Sequence, residues 1–134
     1  MGDRVLMQCH SKRSGKFGPV VYGHWLGERA QHIVTELADR MATRRGDVEY
    51  ASARLVQECC LAAGQVQYNT GVGMWNATGL LGLDDSHGDA GCVLIDVDDF
   101  SVAYFGGYLR DDGSTMTYSE QQAESFYAVL GANG

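Results

Sequence analysis

The stretch CVLIDVDDFSVAYFGGYL, residues 92–109, decides how this chain reads. Residues 92–97 (CVLIDV) are apolar enough for a central strand, and Asp98 and Asp99 are of the residue type that favours turns. SVAYFGGYL at 101–109 then returns as an antiparallel partner. Working outwards, the same pattern stands at the start of the chain. RVLMQCH at 4–10 reads as a strand, SKRSGKFG as a polar, glycine-containing connection, and PVVYGHW at 19–25 as a second strand. The result is another hairpin, whose loop carries Lys12, Arg13 and Lys16.

Helices lie between the two hairpins. Ala30, Ile33, Val34, Leu37, Ala38 and Met41 recur at helical spacing and form one apolar stripe. Arg40, Arg44 and Arg45 fall near its C-terminal end, where the helix dipole favours cations, and Gly46 supplies the stop. Asp47 then suits the N-cap of a second helix, with Glu49 in the first turn and an apolar side of Val48, Ala51, Leu55, Cys59 and Ala62, ended by Gly64. So short a link predicts an αα-hairpin. VQY at 66–68 suggests a short strand, and another is expected around Met74–Asn76. Near the C-terminus, Ser119 and Gln122 fit a capping box, and Ala123, Phe126, Tyr127 and Leu130 line one helical face before Gly131. The order β-β-α-α-(β)-β-β-α predicts an α+β fold. Its antiparallel sheet would have about four to five strands, with helices packed mainly on one face. Pro19 is the only proline and no linker divides the 134 residues, so residues 1–134 read as a single domain.

Composition narrows the class of protein. With 45% hydrophobic and 20% charged residues the chain is not expected to be disordered. No apolar run approaches the roughly 18 residues a membrane span needs, and no signal-like segment opens the sequence. A cytoplasmic setting is expected. Cys9, Cys59, Cys60 and Cys92 contain no C-x-x-C and no finger-like spacing with histidine, so they read as reduced thiols and not as a zinc site. The net charge of −7 is unevenly shared. Residues 1–54 hold nine Arg/Lys against six Asp/Glu, while residues 55–134 hold Arg110 alone against eleven acids. Such an acidic surface repels phosphate backbones and draws basic partners, and direct nucleic-acid binding is not expected.

Several constellations invite chemistry, and each has a plainer reading. Asp96 and Asp98 are two apart and could face a hard cation with help from DDSHGD at 84–89, but a turn rich in aspartate accounts for Asp96, Asp98 and Asp99 without metal. Cys9 and His10 are adjacent, so on a strand they point to opposite faces. Cys92 or Cys59 could meet His24 or His87 only through the fold. Tyr22 and His24 share one strand face, with Val21 and Trp25 on the other, and an exposed Tyr/His face suits a partner or ligand. The glycine-rich stretch from Asn69 to Gly91 lacks a G-K-[ST] and is no phosphate-binding P-loop. The basic set Lys12, Arg13, Lys16, Arg44 and Arg45 reads as a solvated surface.

The opening MGDR, followed by a strand and by Y-x-H-W at 22–25 ahead of an amphipathic helix, resembles small uncharacterised proteins of bacteriophages and other mobile elements. The resemblance covers about the first 30 residues and brings no catalytic residues. It implies a bacterial cell as the setting, where small acidic proteins often block host enzymes, CRISPR effectors among them. The expected role is therefore a non-enzymatic, acidic protein-binding module, in its most concrete form an anti-CRISPR or other anti-defence inhibitor. Its partner would be the basic surface of a host protein, and no cofactor or metal is called for. Tyr22, His24, Trp75, Asp84, Asp85, Asp89, Asp98, Asp99, Asp111 and Asp112 are the expected contact residues. The alternative is a small hydrolase or transferase with a pocket at the glycine-rich 69–91 stretch, using His24, His87, Asp96 or Cys92. A third possibility is a homo-oligomer paired through a sheet edge.

Overall fold

Every residue of the first strand, β1 (Val5–His10), is buried. Side chains alternate between the two faces of a strand, so a strand buried throughout lies inside a sheet covered on both sides. The computed structural model, which describes residues 3–64 and 71–111, shows that arrangement. The further elements are β2 (Phe17–Gly23), α1 (Ala30–Arg40), α2 (Val48–Ala63), β3 (Val72–Trp75), β4 (Gly91–Asp96), β5 (Ser101–Phe105) and the short α3 (Tyr108–Asp111). They build an α+β fold on one five-stranded sheet of order β3-β2-β1-β4-β5.

Both expected hairpins are present, β1 with β2 and β4 with β5. They dock on each other through β1 and β4, and this central pair is parallel, with Val5 opposite Gly91 and His10 opposite Asp96. The sheet is thus mixed, where a purely antiparallel one was expected. The reason lies in the connection. After β2, α1 and α2 cross one face and return the chain antiparallel as β3. The glycine-rich connection then crosses the opposite face from β3 to β4, a crossover long enough for a parallel return. Neither hairpin's own sequence carries that information.

On one face, Val5, Met7, Cys9, Val21, Val93 and Ile95 meet Ile33, Leu37, Leu55 and Cys59 of the two helices. Asp47 caps α2 as expected, its side chain accepting the Tyr50 N–H at 3.1 Å. The opposite face is covered without a helix among the described residues. Leu6, Val20, Cys92, Leu94, Ala103 and Phe105 lie there beneath Leu80 and Leu81 of the glycine-rich connection. No helix among the described residues is long and apolar enough to cross a membrane.

Two further differences are local. β5 stops at Phe105 instead of running to 109, because Gly106 turns at φ 75° and the chain enters α3. The strand expected around Met74–Asn76 appears as β3 at Val72–Trp75, starting two residues earlier and ending one earlier, whereas the strand expected at 66–68 and the helix at 119–131 lie outside the described residues.

Gly91 marks where the β4–β5 hairpin closes. Its φ is +101°, and a Cβ there would run into the Phe105 carbonyl oxygen and come within 2.7 Å of the Gly107 nitrogen. Gly91→Ala should therefore destabilise the protein by about 2 kcal/mol or more, read as a lower urea midpoint. An unchanged midpoint would show that the hairpin end tolerates a side chain.

Candidate binding surface

A single polar side chain secures the middle of the glycine-rich stretch. Gln8, on central strand β1, is fully buried. Its amide nitrogen donates to the carbonyl oxygens of Gly18 and Gly79, both at 3.0 Å, and its side-chain oxygen accepts the Leu81 N–H at 2.8 Å. Two of these three bonds clamp residues 79–81 onto the sheet, the third ties Gln8 to β2, and Leu80 and Leu81 are left to cover the face. Further along, the Ser86 hydroxyl donates to the Gly106 carbonyl, and Asp85 accepts the Gly82 N–H at 2.7 Å. Arg4 pins the end of the segment, its Nε donating to Asp89 at 2.7 Å and its backbone N–H to the same oxygen at 3.1 Å. The hydrogen bond from the Arg4 side chain is the main reason that the Asp89 carboxyl is held below its ordinary range.

The clamped segment leaves a recess of about 390 Å³ on this face, walled by Trp75, Asn76, Thr78, Leu81, Val20 and Asp85. Beside it stands a group of rings. The Tyr22 ring lies 6.3 Å from His24, 6.4 Å from Trp75 and 6.0 Å from His87, the last edge-on. Tyr22 and Trp75 lie on the same face because Tyr22 pairs with Gly73 and Val20 with Trp75 across β2 and β3. Trp75 is 46% exposed, and His24 and His87 are exposed. His24 and Trp25 do not point to opposite faces as a continuing strand would require. β2 ends at Gly23, and the two rings stack at 5.5 Å. His87, the fourth member of the group, was expected only as a catalytic candidate. Its place beside Tyr22 depends on the fold of a long connection that no periodicity reports.

The aspartates divide between separate regions of the sheet. Asp85, next to Asp84 in the chain, lines the recess beside Val20 and Trp75. Asp89 lies by the start of β1, where it holds Arg4, and α3, which carries Asp111, is tied to that end by the Tyr108 N–H donating to the Asp89 carbonyl at 3.0 Å. Asp98 and Asp99 follow the far end of β4, about 20 Å away along a six-residue strand. Asp112 lies outside the described residues. At the far turn the carboxylates serve the loops. Asp98 accepts the Ser11 hydroxyl at 2.8 Å and the Arg13 N–H at 2.9 Å, and Asp99 accepts the Ser101 N–H and hydroxyl at 2.9 and 2.7 Å. The Asp96 carboxylate accepts the Asp98 N–H at 3.0 Å. Among the described residues no three His, Cys, Asp or Glu side chains converge as a metal site.

Two titratable groups are buried side by side where β1 and β4 end. Burial pushes Asp96 up to about 6, and Asp98 and Asp99 add to the rise. Burial pulls His10 down to about 4, opposed by those same two aspartates and aided by Lys12. Cys9, Cys59 and Cys92 are each pushed up to about 12 by burial, which suits packed thiols and not nucleophiles.

An α+β fold with a Trp75-walled recess on the sheet face that no helix among the described residues covers defines the class. No protein-family model, curated protein or solved structure matches the chain.

Two predictions follow from these contacts. Gln8→Leu would leave the Gly18 and Gly79 carbonyls and the Leu81 N–H without partners, costing about 3 kcal/mol or more at one to several kcal/mol per buried group. Chemical denaturation measures this, and amide exchange should quicken first at 79–81. The pH dependence has two opposed parts. The fold favours protonated Asp96, so that contribution is present below the ordinary 3.8 and lost as pH rises through about 6. It favours neutral His10, so that contribution is present above 6.5 and lost as pH falls towards 4. Urea midpoints of the wild type should vary little across this window. They should rise with pH in Asp96→Asn and fall with pH in His10→Gln.

Proposed function

We propose that the chain is a non-enzymatic binding module that docks on a basic surface of a host protein. The Trp75–Asp85 recess and the adjacent Tyr22, His24 and His87 rings would form its contact face. One observation carries this reading: the recess sets a half-exposed indole and a carboxylate around the same space. An aromatic face attracts a cation and a carboxylate pairs with it, so a partner's lysine or arginine side chain fits the recess. Exposed aromatic anchors beside it match the residues that dominate binding energy at protein interfaces. Asp84 extends the acidic rim. Asp89, Asp98 and Asp99, already engaged by Arg4, Ser11, Arg13 and Ser101, would set the long-range field instead of making direct contacts. Together with the resemblance of the opening segment, this supports a phage or mobile-element inhibitor acting in the bacterial cytoplasm on a defence protein. The hydrolase or transferase alternative gains less support, because the recess at the glycine-rich stretch is lined by Thr78 and Asp85 but by no histidine or thiol.

The test is affinity capture from bacterial lysate at low and high salt with wild type, Trp75→Ala and Asp85→Asn. The wild type should retain a basic protein that high salt releases, and Trp75→Ala should weaken that complex about tenfold or more. Equal retention by all three proteins would rule out this face as the contact.

A further inference from the structure

The first hairpin loop, with Lys12, Arg13 and Lys16, and the link between the helices, with Arg44 and Arg45, meet in space. The Gly46 N–H donates to the Val97 carbonyl at 2.9 Å, and the Val97 N–H donates to the His10 carbonyl at 2.8 Å. Asp98 holds the hairpin loop through Ser11 and Arg13. These bonds bring the α1–α2 link against the β1–β2 loop around a cleft of about 470 Å³, lined by Ser11, Arg13, Ser14, Arg45, Gly46 and Asp98.

Its polar groups are sorted by type. Each Asp98 oxygen already accepts a hydrogen bond from Ser11 or Arg13. The Ser11 oxygen accepts the Ser14 N–H at 3.1 Å while its proton goes to Asp98, and the Ser14 oxygen accepts the Lys16 N–H at 3.3 Å, which leaves the Ser14 hydroxyl proton to donate. Of the neighbouring cations, Lys16 pairs with Glu49 at 3.4 Å, and Arg44 pairs with Asp47 at 3.7 Å and lies over the Tyr50 ring. Arg13 and Arg45 enter no ion pair among the described residues, and both are exposed at the cleft. Two guanidinium groups against one lining carboxylate leave the lining positive and rich in donors, even though Asp99, whose carboxyl the Ser101 N–H holds below its ordinary range, lies near enough to Arg45 to be lowered further.

We propose that this cleft binds the phosphate group of a small-molecule phosphate monoester. Two guanidinium forks carried on separate loops, with the Ser14 hydroxyl in the same lining, can together donate to several oxygens of a tetrahedral anion, whereas a flat carboxylate would engage only one fork well. The volume exceeds that of phosphate alone and leaves space for the rest of a small molecule. A nucleic-acid strand is the poorer candidate, since a chain of net charge −7 repels an extended polyanion.

The test is calorimetric titration of the full chain with phenyl phosphate, inorganic phosphate and phenol in a chloride buffer of low ionic strength. Saturable binding of both phosphates and none of phenol is expected. Arg13→Gln and Arg45→Gln should each weaken it about tenfold or more, while Arg54→Gln, an exchange on α2 away from the cleft, should leave it unchanged. Arg13→Lys and Arg45→Lys, which keep the charge and lose the fork, should give intermediate losses, and unfolding midpoints close to wild type show that the variants remain folded. Absence of saturable phosphate binding at about 10 mM would overturn the proposal. Equal weakening by Arg54→Gln, or tighter binding of a single-stranded oligonucleotide through the same two arginines, would overturn it as well.

Discussion

The buried carboxamide of Gln8 is the constraint on which the second face of this sheet depends. A polar group taken out of water costs several kcal/mol unless it is hydrogen-bonded, and Gln8 is bonded at both ends of its amide. Because its partners are backbone groups of residues 18, 79 and 81, the cost of burying one side chain fixes the path of an otherwise weakly held connection. Leu80 and Leu81 then exclude water from Leu6, Leu94 and Phe105. The helical face needs no such device, since amphipathic stripes on α1 and α2 supply their own apolar contacts.

The legibility of the sequence follows the same division. Periodicity is a local signal, so it reported the two hairpins, the α1 stripe and the Asp47 cap, although it carried the last strand four residues past its end at Phe105. It could not report the parallel β1–β4 junction, which depends on how two finished hairpins dock once the chain has crossed both faces of the sheet. Nor could it show Gln8 to be more than one polar residue in an apolar strand. The proposed contact face was half visible. Tyr22, His24 and Trp75 were suggested by strand alternation and aromatic character, and they do lie together. His87 joins them only because Ser86, Asp89 and Gln8 tether the segment that carries it.

Charge shows most clearly how fold reorganises sequence. Along the chain the protein reads as a mildly basic first part and a strongly acidic remainder. In space the acidic turns separate, and one of them comes to rest among the basic loops. Asp98 thereby changes from a free surface charge into the acceptor that assembles Ser11 and Arg13, and Asp89 becomes the partner of Arg4. Counting aspartates overstates the negative surface available to a partner, because several of these carboxylates are occupied in holding turns.

What remains after that internal use is more specific than a uniformly acidic surface. At the recess, the second oxygen of Asp85, whose first accepts the Gly82 N–H, shares its space with the exposed Trp75 ring, a combination suited to a cationic side chain. Elsewhere, Arg13 and Arg45 stand over a cleft whose acceptors are already taken, a combination suited to an anion. Both regions are built on loops, and both loops are tied to the same rigid strand, by Gln8 at its middle and through His10 and Ser11 at its end. The central strand therefore works as a common anchor. Its six buried residues give the sheet its core on both faces and hold two surfaces of opposite chemistry in fixed relation to each other.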